Sequence, residues 1–138
     1  MTSNTKPIGV AFEDQNIIGP DFILSDSQLG YTANAQGTVT QLTDKTTAVT
    51  LNKSAGRITL SNAALGATTN VSFTLNNSFI SANDVLIVTL SGGIATAATY
   101  NCWVNSLSAG SASITLRNIS AGSLSEAVII NFALIHCV

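Results

Sequence analysis

Hydrophobic and polar side chains alternate most cleanly in NVSFTLN, residues 70–76. Val71, Phe73 and Leu75 fall on one side, and Asn70, Ser72, Thr74 and Asn76 on the other. Successive side chains of a strand point to opposite faces, so this pattern marks a strand with one buried face. Shorter versions recur: Ile58 and Leu60 flank Thr59, and Ile114 and Leu116 flank Thr115. The segments KSAG, NNS, SAND and SGG supply turn chemistry between such runs. Together they predict strands at 38–43, 47–52, 57–61, 70–76, 85–91, 99–106, 112–118 and 127–136. SNAALGA (61–67) is the one segment suited to a single helical turn. SAGS occurs at 108–111 and again at 120–123, each copy ahead of a strand. That separation suits consecutive strands of a β-sandwich.

Two segments break the alternation. VLIVTL (85–90) is apolar but for one threonine, and AVIINFALI (127–135) is apolar but for Asn131. A strand of a two-layer sandwich has one outer face, which ordinarily meets water. A strand that is apolar on both sides is either covered by a further layer or lies at a subunit contact.

Residues 1–36 read differently. They hold both prolines, Pro7 and Pro20, and four of the seven acids, Glu13, Asp14, Asp21 and Asp26. They also carry Phe12, Ile17, Ile18 and Phe22, which a free polar tail would lack. The prolines argue against a continuous helix. The expected organisation is an extended N-terminal arm, 1–36, and one domain, 37–138. The domain is expected to be all-β, an antiparallel β-sandwich of jelly-roll type.

Composition sharpens this picture. Charged residues are 9% of the chain, against about 25% in ordinary soluble domains. Between Ile58 and Leu116 the only charge is Asp84. Such a surface has little long-range repulsion to keep copies apart. The five basic residues are scattered, whereas phosphate binding needs clustered cations, so nucleic acid is not an expected partner. No run reaches the ~20 apolar residues of a membrane-spanning helix, and a membrane is not expected either. The start, MTSNTKPIG, lacks the apolar core of a secretory signal. Two buried free thiols at Cys102 and Cys137 are therefore expected, with a disulfide between them as the alternative.

Candidate chemistry is sparse. The single histidine, His136, is followed by Cys137. Neighbours on a regular strand face opposite ways, so they make no nucleophile–base pair. Asp84 reads as a turn-former in SAND, and Glu126 is a candidate ion-pair partner of Arg117. Cys102, His136 and Cys137 are too few and too dispersed for a zinc site. No enzyme activity, metal or cofactor is expected. Trp103, in TYNCWVN, falls on the face opposite Cys102 and Val104, among Asn101 and Asn105. It suits an interface aromatic, or a ring that stacks on a sugar.

Two stretches carry a resemblance. GTVTQLTDKTTAVTLNKSAGRITLSNAAL (37–65) and ITLRNISAGSLSEAVIINFALI (114–135) resemble a small β-structured module among virion proteins of tailed bacteriophages. The likeness covers most of 37–135. That module usually closes with a basic residue soon after the position of Ile135, where His136, Cys137 and Val138 stand here. The resemblance implies a structural component that decorates or cements a capsid lattice. It would act on the capsid surface of the virion, having been made in the host bacterial cytoplasm. Its partners would be copies of itself, as a dimer or trimer, and the major capsid protein. Phe12, Ile17, Ile18, Phe22, Ile129 and Ile135 are the expected interface residues. The alternative is a head or tail fibre module that binds host-surface glycans through Trp103.

Overall fold

The computed structural model describes residues 28–137. All eight strands expected from the sequence form: β1 (Gln36–Thr40), β2 (Val49–Thr50), β3 (Ala55–Thr59), β4 (Asn70–Asn76), β5 (Val85–Gly92), β6 (Tyr100–Ser108), β7 (Ser111–Asn118) and β8 (Ile129–Ile135). They make two four-stranded sheets, β1-β3-β8-β5 and β2-β4-β7-β6, which pack face to face. The molecule is a β-sandwich. Its core is the inward half of each alternating strand: Ile58, Phe73, Leu75, Ile114, Leu116, Ile130, Phe132 and Leu134 are buried.

The expectation of antiparallel pairing throughout needs correction. β4, β7 and β6 pair antiparallel, as do β3, β8 and β5, but β1 runs parallel to β3 and β2 runs parallel to β4. The reason lies in the route of the chain. Its first four strands alternate between the sheets, so each sheet receives every second strand, already pointing the same way. Two-residue and hairpin connections build only antiparallel pairs; a parallel pair needs an intervening crossover, which here is a strand of the other sheet. Backbone close approach makes the first parallel pair possible. Gly37 and Gly56 are register partners, and a Cβ on Gly56 would sit 2.6 Å from a Leu51 methyl and 2.9 Å from the Gly37 carbonyl.

Other details also depart from the sequence reading. SNAALGA forms no helical turn; Leu65 instead bridges Leu124 through reciprocal backbone hydrogen bonds of 2.8 and 3.0 Å. A short 3-10 turn occurs at Ala33–Ala35. The first SAGS is the β6–β7 hairpin, with Gly110 at φ +80°, whereas the second leads into the Leu65 bridge several residues before β8. The expected arm is described only from Gln28 onward, so Phe12, Ile17, Ile18 and Phe22 lie outside the described residues.

Candidate functional site

The two strands that break alternation, β5 and β8, are neighbours in one sheet. Their inner residues, Leu86, Ile130, Phe132 and Leu134, fill the core. Their outer residues therefore share one surface. At one end Val85 stands opposite Ile135, and one step along Ile87 stands opposite Ala133, which in turn faces Ala55 of β3. Val85, Ile87 and Ile135 are 48%, 46% and 51% exposed. The sequence signal for a strand that is apolar on both sides thus corresponds to an apolar patch on the outer face, which the other described residues leave about half exposed. Ile129, the other interface candidate on this strand, is half-buried at the far end, beside Thr59.

Between these ends a polar row crosses all four strands: Thr38, Arg57, Asn131 and Thr89 are successive register partners. Arg57 is exposed and donates from Nε to Asn131 Oδ1 at 3.3 Å. This is its one hydrogen bond among the described residues, and a guanidinium carries five donors. The face thus joins an apolar half to a cation with spare donor capacity. Asn131 read in the sequence as a lone polar interruption of an apolar run; the register shows it as Arg57's partner.

The chain enters the sandwich at the apolar end. The Tyr31 hydroxyl donates to the Leu134 carbonyl, and Gln36 Nε2 donates to the Tyr31 carbonyl at 2.7 Å. Tyr31, Ser54, Phe79, Leu134 and His136 line a shallow hollow there. Phe79, 52% exposed, adds an aromatic ring. Beside the hollow, Asp84 gathers the C-terminal tail. Its carboxylate accepts from the Ser81 amide and hydroxyl at 2.8 and 2.7 Å and from the Cys137 amide at 2.9 Å, and meets His136 Nδ1 at 2.9 Å. Burial alone would raise the Asp84 pKa, but the donors from Ser81, Cys137 and His136 outweigh it and hold the carboxyl well below its ordinary value. SAND is a turn, as read, but Asp84 is also the clasp for residues 136 and 137, which its sequence context did not reveal.

A second polar cluster lies at the opposite end, under the β1–β2 loop. Lys45 is buried, and its ammonium donates to the Ser61 carbonyl and, at 2.7 Å, to the Glu126 carbonyl. Burial lowers its pKa, and the Glu126 carboxylate partly restores it. Gln41, also buried, donates to the Thr47 carbonyl at 2.8 Å and accepts from the Ser61 amide at 3.1 Å. Glu126 does not pair with Arg117; one of its oxygens accepts from the Ala95 amide at 2.7 Å. Its other oxygen and the buried Tyr100 hydroxyl have no hydrogen-bond partner. The Tyr100 phenol is nevertheless pushed up to about 12, by burial first and then by the nearby Glu126 carboxylate. Every link in this cluster ties loop to loop, which gives it a structural role. In the sequence Lys45 is one of five scattered basic residues, and nothing in TDKTT marks it as buried.

Both cysteines are free; Cys102 is half-buried, but Cys137 is exposed because β8 ends at Ile135, which corrects the expectation of two buried thiols. Trp103 lies on β6 opposite Thr115, which in turn faces Ser72. Arg117, Asn101 and Asn70 form the next row of that outer face. No group of three or more metal-ligating side chains occurs among the described residues. Comparison with protein-family models, with curated proteins and with solved structures finds no match to this chain.

Proposed function

We propose that the protein is a non-enzymatic structural component of a tailed-phage virion, which decorates and cements the capsid lattice as a homo-oligomer. One observation carries the adhesive part of this reading: Val85, Ile87 and Ile135 form an apolar patch on the outer face of one sheet that the other described residues leave about half exposed, in a chain with very little charge. The virion setting rests on the resemblance of residues 37–65 and 114–135 to phage virion modules. The finer description as a jelly roll belongs to the same proposal, with the parallel β1/β3 and β2/β4 pairs as departures from that pattern.

Magnitudes limit what the patch does alone. Covering the exposed half of three aliphatic side chains contributes roughly 1 kcal/mol each. Association costs at least about 4 kcal/mol in lost rigid-body freedom. The patch is thus part of an interface and needs further apolar surface to hold a closed dimer or trimer. Phe12, Ile17, Ile18 and Phe22 are the surface on offer in the same chain. Counting copies per particle tests the reading: hundreds fit decoration, and a dozen or fewer contradict it.

The fibre reading has its own observation. Trp103 shares an outer face with Asn70, Ser72, Asn101 and Arg117, an aromatic among amides and hydroxyls that suits stacking on a sugar ring. A glycan screen decides it: specific binding abolished by Trp103→Ala establishes the adhesin and displaces decoration.

A further inference from the structure

We infer that the arm of one copy lies on the outer face of sheet β1-β3-β8-β5 of a neighbouring copy, with residues 12–22 over the Val85–Ile87–Ile135 patch and the arm's carboxylates toward Arg57. This rests on the homo-oligomer proposed above and names its contact. The six interface candidates of the sequence then fall on two sides of one surface, Phe12, Ile17, Ile18 and Phe22 meeting Ile129 and Ile135.

Three observations support this occupant. The first is complementary chemistry. Residues 1–27 bring Phe12, Ile17, Ile18 and Phe22 among their large apolar side chains, with Glu13, Asp14, Asp21 and Asp26 against the single Lys6. The face offers an apolar half and, one row on, the exposed guanidinium of Arg57. Of the four Lys and Arg residues among those described, Lys45 is buried, Lys53 is bonded to the Asn34 carbonyl at 2.7 Å and Arg117 lies on the outer face of the other sheet, which leaves Arg57, with one donor spent on Asn131, as the cation of this face. The second is where the described chain begins. Tyr31 is pinned to the Leu134 carbonyl beside the patch, so every copy presents the root of an arm next to a face that the other described residues leave partly exposed. The third is the direction of departure. Upstream of Tyr31 the chain leaves its own sandwich: Leu29 is 96% exposed, and nothing lies within 4 Å of the position a Gly30 Cβ would take. An arm meant for its own sheet would begin by laying that leucine down. Fully extended, 27 residues span up to roughly 90 Å, a length sufficient to reach another copy.

Cross-linking full-length single-cysteine chains tests this. Both test chains carry Cys102→Ser and Cys137→Ser; one adds Ile18→Cys and the other Ile87→Cys. They are mixed and treated with a short flexible bis-maleimide. A product joining one chain of each kind, lost on adding Arg57→Glu to the Ile87→Cys chain or at high salt, is the expected result. A third chain carrying both Ile18→Cys and Ile87→Cys reveals the alternatives. A product confined within that single chain overturns the inference, because the arm then covers its own sheet. No product in either sample also overturns it. Thermal melts confirm that each variant folds. Binding to empty shells is scored separately. Shell binding without a cross-chain product defeats the arm exchange and spares decoration, while a cross-chain product without shell binding supports the exchange and defeats decoration.

Discussion

Val85 and Ile135 stand directly opposite each other at the end of the β5–β8 pair, and each leaves about half of its surface uncovered. Cross-strand aliphatic pairs of this kind stabilise a sheet through mutual contact. Their outward sides are left about half exposed by the other described residues. That exposure makes the face testable by substitution.

Ile87→Lys is expected to leave the sandwich folded, with a stability change within about 0.5–1 kcal/mol, because the side chain is half-exposed on an outer face. Self-association is expected to weaken at least tenfold, since a charge then sits in the middle of the patch. Thermal melts and light scattering on the same sample separate the two effects.

Lys45→Ala is expected to cost about 3 kcal/mol. It strips two buried carbonyls, on Ser61 and Glu126, of their donor and leaves the Glu126 carboxylate without its neighbouring cation. Urea unfolding gives the number. A loss well under 1 kcal/mol would show that the loop carries no weight there.

Acid is expected to act through Asp84. Its donors hold the carboxyl below the ordinary value, so as pH falls the unfolded chain takes up the proton first. The stability this group supplies is in full force above the unfolded carboxylate value of about 3.9 and drains away as pH drops below about 4. Urea midpoints measured from pH 7 down to pH 3 are expected to decline at the acid end, and the decline is expected to be shallower in Asp84→Asn.

Tyr100→Phe is expected to be neutral or to stabilise by up to about 1 kcal/mol. The buried hydroxyl has no hydrogen-bond partner, so its removal deletes an unsatisfied group and keeps the ring that packs the core. A destabilisation beyond about 1 kcal/mol would mean that the hydroxyl is bonded in solution.

The sequence made the strands legible because burial of one face writes itself into alternation, as at Phe73 and Leu75. It also exposed β5 and β8 as exceptions, since apolar outward residues break that rhythm. It did not disclose that the two are neighbours, nor that β1 and β2 pair parallel. Alternation says which way a side chain points and nothing about which strand lies beside it. The buried Lys45 and the Asp84 clasp were hidden for a related reason. A polar side chain that bonds to backbone carbonyls or amides of distant loops has no fixed spacing to its partners. Arg57 and Asn131 became a pair only through the β3–β8 register.

The molar mass of the full-length chain in solution, measured by light scattering across tens of micromolar, tests most directly whether the outer face of sheet β1-β3-β8-β5 is covered by another chain. An integral multiple of 14.2 kDa, falling to 14.2 kDa when residues 1–27 are removed, is the expected result. A full-length chain that remains at 14.2 kDa throughout, with Val85, Ile87 and Ile135 shielded by its own arm, would contradict it.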